Sequence, residues 1–317
     1  MFRLVHLSDP HIGPLPAPTF SELASKRMLG YVNWHRNRAT SMRGDILVRM
    51  IAEIHALAPD HVAVTGDLVN IALRSELEPA RAFLDSIGSP KDVSVVPGNH
   101  DAYVPGALAR AREAWAPYMT GDGARQPEWP YVRRRGGVAF VGTSSARATG
   151  PFLATGHFSE RQQNLLLAAL DALGREGLFR IVLIHHPPFP RATSWHKRLV
   201  AASRVRHAIR DAGAELVLHG HTHMPTRTTI PGRDGPVPVI GVCAASQEPG
   251  GRRPASGFNL FEIDGDAARG WTVEQADTRF SPESGTFREV ERFRTTIAPR
   301  AAEHLAASAQ PGVANQA

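Results

Sequence analysis

Residues 2–11, FRLVHLSDPH, pass from a short apolar run into a turn that carries Asp9 and His11. Four later stretches repeat this arrangement, an apolar run that ends in polar side chains: 61–67 (HVAVTGD), 93–101 (VSVVPGNHD), 180–186 (RIVLIHH) and 216–223 (LVLHGHTH). Short apolar runs bounded by turn residues are typical of buried β-strands. The sequence therefore predicts five strands that each end in carboxylate, amide or imidazole groups.

Other apolar patterns predict the elements between and after these strands. Apolar residues recur at helical spacing in four segments, 46–57, 76–86, 160–173 and 205–212. Further strands are predicted at 138–143, 237–242, 258–263 and 271–275. Alternating strands and helices indicate an α/β fold, and the strand-rich last third predicts a second sheet packed on the first. The predicted fold class is α/β, a two-sheet β-sandwich flanked by helices.

Residues 1–297 are predicted to form a single domain. Within it, residues 14–42 separate the first strand from the first strong helix. We expect them to form an inserted, lid-like segment, because long connections in compact domains often cover binding sites. Residues 298–317 are rich in Ala, Gln, Pro and Asn, which predicts a disordered tail.

Composition narrows the functional class. The 317 residues carry a formal charge of +6 and are 42% apolar, as in a folded globular protein. Arg133, Arg134 and Arg135 form the one tight basic run, so the charge favours a solvated surface that attracts a small anionic substrate over nucleic-acid binding. Cys243 is the only cysteine, and the amino terminus turns polar too soon for a signal peptide. These features predict a cytoplasmic protein with no membrane partner, and they leave a homo-oligomer open.

The polar strand ends are the strongest functional signal. In open α/β sheets, ligands bind beyond the carboxyl ends of the strands. Each motif alone has an ordinary explanation, because Asp9 can cap a turn, Gly66–Asp67 is a common turn pair and His185 can be a hydrogen-bonded strand-end histidine. Burying so many carboxylates and imidazoles together is unfavourable unless a cation organises them. We therefore predict a site for two metal ions.

The order of these motifs resembles the calcineurin-like metallophosphoesterases. The resemblance covers about residues 2–224 and rests on five blocks: Asp9-x-His11, Gly66-Asp67, Gly98-Asn99-His100-Asp101, His185 and Gly220-His221-Thr222-His223. It implies the αββα metallophosphoesterase fold. It also implies two divalent or trivalent metal ions, and the mixed nitrogen and oxygen donors favour Mn, Fe or Zn over Mg or Ca.

The resemblance also implies a division of the metal ligands. One metal would be held by Asp9, His11, Asp67 and His223. The second would be held by Asp67, Asn99, His185 and His221, so that Asp67 bridges the two ions. His186 is the alternative to His185, because both follow the same strand. In this family a hydroxide between the ions attacks phosphorus in line.

Two residues are predicted to act in catalysis beside the metals. His100 would stabilise charge or protonate the leaving oxygen, and Asp101 would fix the orientation of its ring. The alternative for His100 is a purely structural hydrogen bond.

The expected reaction is hydrolysis of a phosphodiester. His185-His186-Pro187-Pro188 and the last histidine block are most similar to class III cyclic nucleotide phosphodiesterases and glycerophosphodiesterases. The alternatives are a phosphomonoesterase or a nuclease of the same superfamily, and a scaffold that has lost catalysis. A scaffold is disfavoured because all seven expected ligands are present.

The segment 14–42 begins at the predicted metal edge and carries aromatic and basic residues. We expect Tyr31, Trp34 and His35 to bind substrate, because aromatic faces can stack on an organic group and a histidine can contact a phosphate. The alternative is that the aromatic residues only seal a helix against the sandwich.

Overall fold

The computed structural model describes residues 1–37, 44–248 and 253–300. Its α-helices are α1 (Phe20–Leu23), α2 (Arg27–Asn37), α3 (Gly44–Leu57), α4 (Leu77–Ile87), α5 (Ala107–Ala114), α6 (Ala116–Met119), α7 (Glu160–Arg175) and α8 (Ala202–Ala212). Short 3-10 helices lie at Arg74–Glu76 and Trp195–Lys197. Within the described ranges, no helix is both long enough and apolar enough to cross a membrane.

The strands run from the first residues to the end of the described chain. The first seven are β1 (Phe2–Leu7), β2 (His61–Val64), β3 (Val93–Val95), β4 (Tyr131–Arg135), β5 (Val138–Gly142), β6 (Gly156–His157) and β7 (Phe179–Leu183). The others are β8 (Leu199–Val200), β9 (Leu216–His219), β10 (Thr226–Pro231), β11 (Pro236–Gly241), β12 (Gly257–Asp266), β13 (Gly270–Ser281) and β14 (Thr286–Ile297). All five strands that end in polar motifs are confirmed.

Two six-stranded sheets form the centre of the fold, which confirms the predicted α/β sandwich. One has the order β14-β13-β12-β1-β2-β3 and the other β10-β11-β9-β7-β5-β4, while β6 and β8 form a small separate pair. The strand-rich last third predicted the second sheet, but its strands divide between the two sheets. β12 pairs antiparallel with β1 and extends the first sheet, whereas β11 pairs parallel with β9 in the second.

The interior between the sheets is apolar and closely packed. Phe140 of β5 lies 6.2 Å from the ring of Phe2 and stacks on His61 at 4.2 Å between centroids. Helix α3 buries Ile46, Leu47, Met50 and Ile54 on one face, as the periodicity predicts. The helices α7 and α8 pack on each other and carry a second apolar cluster with strands of the second sheet. The fold therefore has helices outside a double sheet.

The three arginines of the basic run on β4, an edge strand, bind other groups of the same protein. Arg133 is buried and donates to the carbonyls of Thr120, Pro90 and Pro117. Arg134 pairs with Glu176, and Arg135 pairs with Asp122. Internal partners therefore account for each of these three positive charges.

A buried charge cluster joins the amino ends of β7 and β9 to the end of the described chain. The Glu215 carboxylate accepts from Arg180 Nη2 at 2.8 Å and lies 2.8 Å from Arg300 Nη2, and all three side chains are at most 3% exposed. Arg300 lies near the start of the predicted tail, but its ion pair with Glu215 holds it in place. Residues 301–317 of the predicted tail lie outside the described residues. Burial alone would raise the pKa of Glu215, but the two arginines lower it.

Glu215→Gln should destabilise the protein by about 3 kcal/mol, because it leaves two buried guanidinium groups with only the partly exposed Asp234, 3.8 Å from Arg180, as a nearby anion. The matched control is Glu176→Gln, which breaks an exposed pair with Arg134 and should cost under about 1 kcal/mol. Urea unfolding measures both. Equal losses for the two variants would contradict a central role for the buried cluster.

Candidate metal centre

The candidate centre lies where the carboxyl ends of strands from both sheets meet. Backbone bonds tie the loops together: Asp9 N donates to Gly66 O at 2.9 Å, and His11 N donates to Asp67 O at 3.1 Å. Within the second sheet, Gly220 N donates to His185 O at 3.1 Å, and a parallel bridge between Ser8 and Ala244 joins the two sheets. The five polar motifs of the sequence are thus brought to one place.

The backbone at this place is strained. Five of the seven predicted ligands have positive φ angles: Asp9 (52°), His11 (40°), Asp67 (57°), His221 (69°) and His223 (56°). Non-glycine residues avoid this region, at a cost of about 1–3 kcal/mol each, and such strain concentrates at functional sites. The conformation turns each side chain inward immediately after its strand.

Two glycines give the ligands room. A Cβ at Gly98 would fall on Asp67 Oδ1, and one at Gly220 would fall on Ser8 Oγ and Asp9 Oδ2. Any larger residue would displace a carboxylate of the site. The close approach of a carboxylate, and not only turn geometry, therefore explains why glycine stands at these two positions.

The first half of the centre is formed by Asp9, His11, Asp67 and His223. His223 Nε2 lies 3.1 Å from Asp9 Oδ1 and 3.4 Å from His11 Nε2. His11 Nε2 lies 3.9 Å from Asp9 Oδ1 and 4.0 Å from Asp67 Oδ2. Ligands around one ion with bonds of about 2.1 Å are separated by roughly 3–3.5 Å, so these spacings are close to those of a metal site.

The second half is formed around His185. Its Nε2 lies 3.3 Å from Asp67 Oδ2 and 3.2 Å from Asn99 Oδ1. The rings of His185 and His221 are 5.1 Å apart. Asp67 Oδ2 therefore faces both halves, while Asp67 Oδ1 accepts from His100 N at 2.7 Å.

Three of the four predicted ligand histidines contact a backbone carbonyl through the other ring nitrogen. The contacts are His11 Nδ1 to Val69 O (3.2 Å), His185 Nδ1 to Thr65 O (2.6 Å) and His221 Nε2 to Lys197 O (2.9 Å). Donation to a carbonyl leaves the opposite nitrogen with a lone pair, as in most metal-binding histidines. His223 differs, because its Nδ1 faces Arg253 Nη1 at 2.9 Å.

His186, the alternative to His185, lies next to it, and one of its ring nitrogens lies within 4.8 Å of ring nitrogens of His185 and His221. Its Nδ1 lies 2.8 Å from Ser145 Oγ and its Nε2 lies 3.1 Å from the carbonyl of Ala154. Burial lowers its pKa to about 3, which keeps the ring neutral. Both nitrogens are engaged in protein contacts, so the geometry favours His185.

The donor set fits metal ions. Asp9 Oδ1 is buried and accepts no hydrogen bond, and acidic and imidazole groups cluster within 4.8 Å of one another on both sides of Asp67. Burial would lower the pKa of His185, but the carboxylates of Asp67 and Asp9 outweigh it and raise the pKa to about 9. The site thus concentrates negative charge that a cation would offset.

The buried carboxylate of Asp101 binds the backbone of two turns. Its carboxylate accepts backbone N–H bonds from Asp67, Leu68, Val69 and Gly98, at 2.8–3.2 Å. The Nδ1 atom of His100 contacts the carbonyl oxygen of Asn70, and the role of Asp101 in orienting the His100 ring stays a prediction. Burial and the nearby Asp67 raise the pKa of Asp101 to about 7 despite these bonds.

A cavity of about 460 Å³ opens beside Asn99 and His100, and α2 forms one of its walls. Tyr31, Trp34 and His35 are not among the residues that line it. They occupy one face of the helix: Trp34 is buried, and Tyr31 packs against the main core. The opposite face lines the cavity through Leu29, Gly30, Val32, Asn33 and Arg36. Residues 38–43 of the predicted insert lie outside the described residues.

Sequence reasoning also missed Lys26 and Tyr103 near the centre. Tyr103 stacks on His100 at 5.4 Å between centroids, and Lys26 Nζ lies 4.6 Å from the Tyr103 ring. Tyr103 comes two residues after the histidine block, and that proximity is the one signal that could have singled it out. Nothing in the sequence distinguishes Lys26.

Comparisons with known proteins agree with this geometry. A family model for the calcineurin-like phosphoesterases matches residues 2–225. A dimetal phosphatase from Danio rerio shares the fold, with a TM-score of 0.62, 16% identity, and coverage of 94% of this chain and 99% of that one.

The purple acid phosphatase PPD1 from yellow lupin (Lupinus luteus) seeds is also similar, with a TM-score of 0.60 and 14% identity. The alignment covers 100% of this chain and 57% of the plant enzyme, so the chain matches little more than half of that protein. A comparison with curated proteins gives no match. Since the family model covers most of the sequence and the fold agrees, the chain belongs to the calcineurin-like phosphoesterases.

Proposed function

We propose that this protein is a two-metal phosphodiesterase that cleaves a cyclic nucleotide or a glycerophosphodiester-like substrate. Asp9, His11, Asp67 and His223 would hold one ion, and Asp67, Asn99, His185 and His221 would hold the other. Bound there, the ions would supply charge stabilisation for the phosphoryl oxygens and activation of water. The mixed nitrogen and oxygen donors favour Mn, Fe or Zn. We place this activity in the cytoplasm.

The position of His100 carries the proposal. Its ring meets His11 edge-on at 4.8 Å and also lines the cavity, so it lies between the metal ligands and the space for an organic group. A phosphate held at the centre would direct its leaving oxygen towards this ring. A diester needs a proton on that oxygen, and a positioned histidine can supply it.

The main competing activity is hydrolysis of a phosphomonoester. The two similar structures described above are named phosphatases. The two substrate classes differ in charge and in size, because a monoester carries up to two negative charges, whereas a diester carries one and has a second organic group. Substrate comparison separates them directly.

Asp67→Ala should abolish binding at both metal positions, because one carboxylate oxygen faces both halves of the centre. We expect activity to fall by more than about 10³-fold, beyond the loss typical of a single stabilising group. Metal content of the purified variant is the direct measurement. Asp211→Ala, an exposed carboxylate on α8, is the control and should keep both ions. Loss of only one ion from Asp67→Ala would refute the bridge.

With its best metal, the enzyme should cleave bis-(p-nitrophenyl) phosphate with a kcat/KM at least about tenfold above that for p-nitrophenyl phosphate, because the cavity beside Asn99 and His100 has room for the second ester group that a monoester lacks. Initial rates with Mn²⁺, Fe²⁺ and Zn²⁺ provide the comparison. The reverse preference would assign the protein to the phosphatases.

His100→Gln should slow alkyl diesters about 10²-fold and nitrophenyl diesters much less, because nitrophenolate leaves without a proton whereas an alkoxide does not. The comparison uses kcat for a glycerophosphodiester and for bis-(p-nitrophenyl) phosphate. An equal loss on both substrates, or a loss of bound metal, would show that His100 only supports the structure.

A further inference from the structure

The cavity beside the proposed centre is built by three separate parts of the chain. Helix α2 provides one wall, Phe152, Leu153 and Ala154 provide the second, and His196 and Lys197 provide the third. Asn99, His100 and Tyr103 form its inner end. A substrate phosphate at the centre would therefore place one of its organic groups here.

The charges around this cavity are all of one sign. Lys26, Arg36 and Lys197 line it, and its described lining contains no carboxylate. Lys26 is partly buried and donates to Thr149 Oγ1 at 2.8 Å and to Leu153 O at 2.7 Å, which are neutral acceptors. Burial lowers its pKa to about 8, and the ammonium remains mostly charged at neutral pH. An anion entering the cavity would compensate a charge that the protein itself leaves uncompensated.

Part of the remaining lining is apolar. Leu29 and Val32 of α2 are 41% and 38% exposed, and Phe152 opposite them is 82% exposed. Exposed large apolar side chains that share one concave surface indicate a site for an apolar part of a ligand. The cavity thus combines an apolar surface with positive charge.

We propose that the cavity selects phosphodiesters whose second organic group carries its own negative charge, and that Arg36 and Lys197 are the main determinants of this choice. The inference rests on the proposed diesterase function and narrows its substrate class. Diesters with an alcohol that carries only positive charge, such as choline or ethanolamine, are disfavoured. Salt screens part of the attraction to exposed charges, so at low ionic strength one added carboxylate should change the specificity measurably.

Lys26 is a poor choice for the test because its side chain also connects two parts of the protein. Its two bonds join α2 to the segment around Leu153, and its ammonium covers Tyr103, which stacks on His100. Arg36 and Lys197 are exposed, so replacing them should not disturb folding.

The test compares two substrates that differ by one carboxylate, sn-glycero-3-phosphoserine and sn-glycero-3-phosphoethanolamine. We expect wild-type kcat/KM to be about tenfold higher for the serine diester. Arg36→Met and Lys197→Met should each lower this ratio severalfold, and the double variant should bring it close to one. Lys91→Met is the matched control, because it removes the same charge from an exposed position outside the cavity and should keep the wild-type ratio.

The outcomes separate this inference from the proposed function. Cleavage of bis-(p-nitrophenyl) phosphate with a serine-to-ethanolamine ratio of one or less overturns the inference alone, as does an equal effect of Lys91→Met. If no diester is cleaved, the proposed function fails, and calorimetric Kd values for O-phosphoserine and O-phosphoethanolamine decide the inference. About tenfold tighter binding of phosphoserine that is lost in the double variant supports it, and equal binding refutes it.

Discussion

The candidate centre depends on the Asp101 carboxylate. Its two oxygens accept four backbone N–H groups, three from the turn after β2 and one from the turn after β3. These bonds hold Asp67 at a φ of 57° and bring Gly98 against its carboxylate. One buried carboxyl group that accepts four backbone N–H groups is a strong anchor, because it satisfies donors of both turns at once and holds the turns together. Asp101 thus offsets the strain that lets one oxygen of Asp67 face both halves of the centre.

The sequence was sufficient for the five strands that end in polar motifs and for their meeting at one place. Apolar runs marked β1, β2, β3, β7 and β9, because buried strands need continuous apolar side chains, and the polar residues after them mark the shared edge. Sheet membership could not be predicted in the same way. The residues of β12 would suit a strand beside β1 or a strand in a separate sheet equally well. Only the pairing with distant residues decides between these two positions.

Side-chain roles near the centre were harder to predict than the ligands. Asp101 follows His100 directly, which suggested that they interact, but adjacent residues in a tight turn point in different directions and the carboxylate turns to the backbone. The helix α2 gives a second example. Its aromatic residues suggested a binding face, yet Trp34 is buried and the cavity is lined by the less conspicuous Leu29, Val32 and Arg36. Composition identified the correct segment, and only packing identifies the face.

The pairing of β1 with β12 also has a consequence for how the protein folds. Phe2 lies opposite Ile263, so one edge of the first strand stays open until more than 250 residues later in the chain have been synthesised. Closing so long a loop is entropically costly, and a high proportion of such distant contacts slows folding. The centre itself draws residues from Asp9 to His223. A newly made chain therefore exposes one unpaired edge of an apolar strand for much of its synthesis. In this period chaperones protect nascent proteins from aggregation.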